Sequence, residues 1–249
     1  MSLAESLNAA ARLIAGARRC AALTGAGVSA ESGVPTFRDA QTGLWSKFDP
    51  ARLASPEGFA ADPRLVWRWY AWRRQLIASA APNAGHLALA RAGRRFERFA
   101  LITQNVDGLH ARAGSSDVIE LHGNILRTKC FAECGVRYDA PEELPSGEPP
   151  RCPSCGSWLR PDVVWFGEML DPAVLARAEE AASLCDLMLV VGTSGLVYPA
   201  AGLPALARRG GARVIVVNPN ESELDDLADI VVRAPAAVAL PQLLSASAP

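Results

Sequence analysis

Cys20-Ala21-Ala22-Leu23-Thr24-Gly25-Ala26-Gly27-Val28-Ser29-Ala30 is the stretch on which the reading of this chain turns. An apolar run at residues 20–23 has the composition of a buried strand. The segment Gly25-Ala26-Gly27-Val28-Ser29-Ala30 then follows the order of a dinucleotide-binding turn, in which alanine can replace the third glycine. Glycine in such a turn lets backbone N–H groups approach a pyrophosphate. An ordinary dehydrogenase would place a ribose-binding acid on a second strand about 20 residues further on. None stands there. Gly33-Val34-Pro35-Thr36-Phe37-Arg38-Asp39 runs instead into an aromatic segment.

Outward from this strand, similar β-rich runs recur at residues 99–103, 117–121, 187–191, 213–217 and 230–232, each ending in polar or glycine-rich sequence. They alternate with helical patterns such as 173–183 and 199–209. Strands buried on both faces and separated by helices predict the α/β class, with a mostly parallel, doubly wound sheet. Ligands then belong beyond the carboxyl ends of the strands. Two stretches break the rhythm and predict a smaller inserted domain. Residues 40–81 hold the helical pattern Val66-Trp67-Arg68-Trp69-Tyr70-Ala71-Trp72-Arg73-Arg74, and residues 125–161 hold paired cysteines and a proline-rich loop. Residues 1–39, 82–124 and 162–249 are left for the large domain.

The bulk properties exclude several classes. With 25 Lys+Arg against 26 Asp+Glu, no basic field exists to hold a phosphate backbone or an anionic membrane, so neither nucleic acid nor a membrane is expected as a partner. No apolar run reaches the roughly 18 residues that crossing a bilayer requires. The first residues lack the basic start and apolar centre of an export signal. Cys20 and Cys185 lie alone in apolar segments and read as inert core residues. The other four cysteines fall in two close pairs, which suits metal binding in a reducing compartment, and a cytoplasmic location is expected.

Those pairs are Cys130-x3-Cys134 and Cys152-x2-Cys155, separated by 17 residues. Four thiolates on two short turns match a tetrahedral structural zinc, and a four-cysteine shell leaves the metal no open position for catalysis. Gly135 and Gly156 follow the second cysteine of each pair, where a tight turn is expected to aim N–H groups at sulfur. Two further segments end strands in polar chemistry: Thr103-Gln104-Asn105-Val106-Asp107-Gly108-Leu109-His110 and Leu121-His122-Gly123. His86 and His110 read as satisfied structural residues. His122, beside a glycine that leaves room for a ligand, is the candidate for proton transfer.

Taken together, Gly25-Ala26-Gly27, Gly33 to Arg38, Thr103 to Asp107, His122-Gly123, the cysteine pairs, Gly192-Thr193-Ser194 and Asn218 resemble the sirtuins, over about residues 9–244. The resemblance implies a Rossmann-like domain that binds NAD as a consumed co-substrate, and a small domain of a helical module plus a zinc module. Acylated lysine of a protein or peptide would enter the cleft between them, and the chain would act as a monomer. Gly25 and Gly27 would belong to the cofactor-binding turn, and Ala26, Thr36, Phe37 and Arg38 to the loop that closes over the nicotinamide half of NAD. Gln104, Asn105 and Asp107 would line the nicotinamide and ribose site, with His122 and Asn105 as catalytic residues. Gly192, Thr193, Ser194, Asn218 and Asn220 would contact the adenosine half, with Ala236 touching adenine through its backbone. Family members often carry an acid in place of Asn220, and two residues rather than three inside the first cysteine pair.

The implied chemistry begins with the acyl oxygen attacking the ribose carbon as nicotinamide leaves. His122 would then deprotonate the ribose hydroxyls, and water would finish transfer to O-acyl-ADP-ribose and free lysine. Phe166, Gly167 and Glu168 on one side, and Leu196 and Val197 on the other, resemble the segments that clamp the substrate as an added strand. Tyr70 and Arg73, at i and i+3, put a hydroxyl and a guanidinium on one helix face. On spacing alone Tyr70 packs and Arg73 is solvated. Beside Ala54, however, the pair resembles the class III branch that removes succinyl and malonyl groups. The rival expectations are a mono-ADP-ribosyltransferase using the same site and a zinc-ribbon adaptor without activity.

Overall fold

The computed structural model describes residues 1–35, 49–139 and 147–244. In chain order the strands are β1 (Arg19–Thr24), β2 (Arg98–Thr103), β3 (Ile119–Glu120), β4 (Gly123–Cys130), β5 (Arg137–Asp139), β6 (Leu159–Val163), β7 (Leu187–Val191), β8 (Arg213–Val217) and β9 (Ile230–Val232). The helices are α1 (Leu3–Gly16), α2 (Pro50–Leu53), α3 (Pro56–Ala61), α4 (Pro63–Ser79), α5 (Ala84–Ala92), α6 (Leu109–Arg112), α7 (Pro172–Leu184), α8 (Leu203–Arg209) and α9 (Ala236–Leu244). Polar caps fix where several of them start. Ser2 and Glu5 form a capping box on α1, and the Asp62 carboxylate accepts from the Leu65 N–H at 2.9 Å just ahead of Pro63.

Six strands form one parallel sheet in the order β3-β2-β1-β7-β8-β9. This is the doubly wound Rossmann arrangement. The chain moves outward from β1 to β3, then returns to the other side at β7, so the order reverses between β1 and β7 and a crevice opens there. Alternate residues of the strands feed opposite faces. Cys20 and Ala22 pack with α1, α5 and α9 residues such as Ile14, Leu89 and Leu240, while Ala21 and Leu23 pack with Ala178, Ala182 and Leu203 of α7 and α8.

Two expected elements are shorter than read. The strand expected over 117–121 shrinks to β3, because Asp117 sits at φ 50°, outside strand geometry. The helix expected from 199 starts at Leu203, after a 3-10 turn over Ala200–Gly202.

A second sheet, antiparallel in the order β5-β4-β6, was not anticipated from the sequence. In β6, Leu159-Arg160-Pro161-Asp162-Val163, every residue is buried although two are charged, so no alternation was legible. Each charge has its partner: Arg160 pairs with Glu168, and Asp162 lies 3.5 Å from Arg127. Pro161 is tolerated because β6 is an edge strand. The helical segment packs on this sheet through Leu53, Phe59, Val66, Trp69, Tyr70, Ile125, Val163 and Trp165. Buried Arg74 ties the two together, donating from Nε to the Ile125 carbonyl at 2.5 Å and from a terminal nitrogen to the Arg127 carbonyl at 3.1 Å. No helix of the described residues is long and apolar enough to cross a membrane.

Candidate functional site

The site gathers where the parallel strands end. Gly25 and Gly27 are required there for a reason the sequence did not show. Their N–H groups donate to the carbonyls of Val191 (3.0 Å) and Gly192 (2.8 Å), so neither is left to meet a pyrophosphate. What glycine supplies is close approach. A Cβ on Gly27 would sit 2.8 Å from the Gly192 Cα, and Gly192 itself has φ +59° with Val28 N 2.5 Å from where its Cβ would be. The turn continues as a 3-10 helix, Ala26–Val28, that seals β1 against β7.

A buried polar network lines the crevice beside this turn. The Ser29 hydroxyl donates to the Asp107 carboxylate at 2.7 Å and accepts from the Asn105 side-chain amide at 3.1 Å. His86 Nε2 lies 3.3 Å from the same hydroxyl, and its Nδ1 accepts from the Asn83 N–H at 3.3 Å. The other carboxylate oxygen of Asp107 accepts from the Leu109 N–H at 2.9 Å. His110 lies 4.8 Å from His86, ring to ring, and contacts Thr24 Oγ1 at 2.9 Å. Burial lowers the pKa of both histidines, that of His110 to about 3. Both are buried, and His110 Nδ1 has no hydrogen-bond partner among the described residues, so the expectation of a satisfied ring holds for His86 and not fully for His110. Sequence reading missed Ser29 and Thr24 as members of the network, since they meet partners nearly eighty residues away and no local spacing announces them.

On the β7 side, the Gln104 amide donates to Thr193 Oγ1 at 3.0 Å, and the Asn218 amide donates to the Thr193 carbonyl at 3.0 Å. Gly192, Thr193, Ser194 and Asn218 thus stand together past the ends of β7 and β8. Asn220 is exposed nearby, its carbonyl accepting from Arg233 at 2.8 Å. Ala236 is buried at the start of α9, with its carbonyl turned against Gly85 of α5. Thr36, Phe37 and Arg38 lie outside the described residues.

His122 is half-buried at the end of β3. Its Nδ1 is 3.0 Å from the Gln104 carbonyl oxygen. A carbonyl only accepts, so Nδ1 carries the proton and Nε2 presents a lone pair. Burial lowers its pKa while the Gln104 bond opposes that shift, which keeps the imidazole neutral in ordinary buffer. Gly123 next to it has φ +78°, and a Cβ there would lie 2.2 Å from the Asp162 carbonyl oxygen. Only glycine lets the chain turn here from β3 into β4.

From the other side the crevice is bounded by α4. Tyr70 is buried, and its hydroxyl accepts from Trp165 Nε1 at 2.8 Å. The Arg73 guanidinium lies 4.9 Å from the Trp69 ring centre and 5.7 Å from that of Tyr70. Burial lowers its pKa, while Tyr70 and Asp107 act to raise it, so Arg73 sits within charge reach of the polar network. Ala54 is buried, and its carbonyl accepts from the Phe166 N–H at 2.9 Å. Phe166 and Gly167 are exposed, as are Leu196 and Val197. Glu168 instead has its carboxylate on Arg160 and on the Trp165 N–H at 2.8 Å.

The four paired cysteines converge, with all four sulfurs within 4.8 Å of one another and contacts of 3.4 Å (Cys130 to Cys155) and 3.5 Å (Cys134 to Cys152). Zinc–sulfur bonds of about 2.3 Å in a tetrahedron put sulfurs about 3.8 Å apart, so the cradle fits that ion. The unusual three-residue gap is absorbed at Glu133, which takes a left-handed φ of 54°. Gly156 donates to the Cys152 carbonyl at 2.9 Å rather than to a sulfur. Cys20 and Cys185 are buried in the core.

Comparison with known proteins agrees with this geometry. The profile described as the Sir2 family matches residues 25–199. An NAD-dependent protein deacylase of Ralstonia nicotianae is 57% identical over 232 residues, covering 93% of each chain. One of Aquifex aeolicus is 56% identical, covering 84% of this chain and 86% of the relative. Among solved structures, a Sir2 homolog–NAD complex superposes with a TM-score of 0.90 at 44% identity, covering 96% of this chain and 92% of that one. A Sir2 protein bound to acetylated peptide gives 0.85 at 33% identity, with 98% of both covered.

Proposed function

This chain belongs to the Sir2 family, and we propose that it is an NAD-dependent protein-lysine deacylase whose preferred cargo is an acidic acyl group, succinyl or malonyl, with acetyl second. The observation that carries the acyl preference is the placement of Tyr70 and Arg73 one helical turn apart on α4, with the Arg73 guanidinium 5.7 Å from the ring centre of buried Tyr70. A guanidinium and a phenol hydroxyl there meet a carboxylate with charge-assisted hydrogen bonds, which are stronger than neutral ones. Small, buried Ala54 leaves depth for the longer acyl chain.

On this reading Gln104, Asn105 and Asp107 hold the nicotinamide ribose, and Gly192, Thr193, Ser194, Asn218 and Asn220 receive the adenosine half. NAD is consumed, supplying the ribose carbon that takes the acyl oxygen. His122 Nε2 accepts the proton of a ribose hydroxyl, and its tautomer is already set by Gln104. Asn105, itself held by Ser29, keeps a fixed dipole where charge develops. Phe166, Gly167, Leu196 and Val197 flank an extended peptide. The four cysteines hold one structural zinc. Closely spaced thiols of this kind belong in a reducing compartment, and we place the enzyme in the cytoplasm.

The test is incubation with NAD and a succinylated, malonylated or acetylated peptide, followed by mass spectrometry. Deacylation gives nicotinamide and O-acyl-ADP-ribose together. ADP-ribose attached to protein would favour a mono-ADP-ribosyltransferase, and no nicotinamide release would leave only a binding module.

A further inference from the structure

The Tyr70 hydroxyl is buried, and the hydrogen bond it makes among the described residues is one it accepts. Trp165 Nε1 gives it a hydrogen bond at 2.8 Å, and indole nitrogen has no acceptor role. The nearby Arg73 guanidinium is likewise donor-only. The phenol's own proton is still to be placed. An incoming carboxylate oxygen is the partner that completes it.

Trp165 is in turn held on several sides. The Arg160 guanidinium carbon stacks 3.2 Å from the Trp165 ring centre, and Arg160 is 2% exposed. Arg160 also donates to both oxygens of Glu168 and, at 2.7 Å, to the Val163 carbonyl, while Glu168 accepts the Trp165 backbone N–H at 2.8 Å. Burial would raise the Glu168 carboxyl, but Arg160 and the Trp165 amide hold it below the usual range. Phe59 closes the other flank at 5.3 Å between ring centres. One indole orientation is fixed before any substrate arrives.

We infer that Trp165, locked by Arg160 and Glu168, is a positioning residue for acyl selection: by donating to the Tyr70 oxygen it turns the phenol proton outward, toward the acyl carboxylate. The inference rests on the acidic-acyl reading above and extends it to three residues that do not touch the acyl group. Discrimination against a neutral acyl group follows from the same geometry, because a methyl group offers the phenol proton no acceptor.

The test compares wild type, Trp165→Phe, Tyr70→Phe, the double variant and Arg73→Met on succinyl and acetyl peptides. Losing one positioning hydrogen bond should raise the succinyl KM about five- to tenfold in Trp165→Phe, with kcat and the acetyl kinetics within about twofold of wild type. In the Tyr70→Phe background the same change should add nothing, since the indole acts only through the hydroxyl. Where phenylalanine leaves a void that unfolds the chain, 3-benzothienylalanine at 165 keeps the two-ring shape without the N–H and should give the same shift. Equal losses on both peptides, or a further loss on top of Tyr70→Phe, would mean that Trp165 only packs, and the inference falls. An unchanged succinyl KM in Trp165→Phe while Arg73→Met loses selectivity sinks the relay but keeps the clamp. Wild type and Arg73→Met handling both peptides alike removes the clamp and the relay together.

Discussion

His122 Nδ1 faces the Gln104 carbonyl oxygen at 3.0 Å, and that contact sets which imidazole nitrogen can act as a base. With the proton committed to Nδ1, Nε2 is free to accept. Replacing His122 with alanine should leave the zinc content and the circular dichroism unchanged and remove turnover. In wild type, burial puts the acid limb of the kcat/KM profile below the ordinary histidine value of about 6.5. Wild-type rates in His122→Ala would take the residue out of catalysis.

On the proposed acidic-acyl reading, Arg73 carries the charge that meets the acyl carboxylate. Arg73→Met should cost the succinyl reaction about 2 to 4 kcal/mol in kcat/KM, the usual loss for one partner of a charge-assisted pair. Deacetylation should survive to a large extent. Equal losses in the two reactions would show that Arg73 supports the fold and selects nothing.

The sulfur cradle predicts one zinc per chain, measurable by elemental analysis of the protein as purified. Stripping it with a chelator should unfold the β5-β4-β6 sheet, because the metal–sulfur bonds tie the two cysteine turns at 130–134 and 152–155 together. Loss of activity should follow, since β4 begins immediately after His122. Retained protease resistance across residues 123–163 after chelation would argue against a structural metal.

Stability should fall on mild acidification for a reason specific to His86 and His110. Both have folded-state values below the unfolded one, so above pH 6.5 they are neutral in either state and make no difference. Below that the unfolded chain takes up protons first, and stability drains away as pH falls toward the folded value of about 3 for His110. Unfolding free energies from urea titrations at pH 7 and pH 5 should differ by about 2 kcal/mol or somewhat more, with a shallower pH dependence in His110→Gln. An unchanged midpoint would mean that these rings take up protons equally in the folded and unfolded chain.

The parallel sheet was legible because β1, β7 and β8 are short apolar runs that end in glycine or asparagine, a pattern set by burial on both faces. The cysteine cradle was legible from spacing alone. The second sheet was not. Its β6 strand hides two charged residues whose partners, Glu168 and Arg127, lie outside the strand, so burial cannot be read from polarity. The glycine turn was found, but not the close contact that Gly25 and Gly27 make with Gly192 and Thr193, nor the bonds of their own N–H groups to Val191 and Gly192. Ser29 and Trp165 gained their roles from partners distant in sequence, Asp107 and Tyr70, which no local pattern encodes.

The central claim is that this chain removes acidic acyl groups from lysine at the expense of NAD. Its most direct test is kcat/KM of wild-type enzyme on one peptide carrying succinyl-lysine or acetyl-lysine at the same position, with nicotinamide as the readout. A carboxylate met by Tyr70 and Arg73 should favour the succinyl form by at least about tenfold. Acetyl turnover equal to or faster than succinyl turnover would contradict the account.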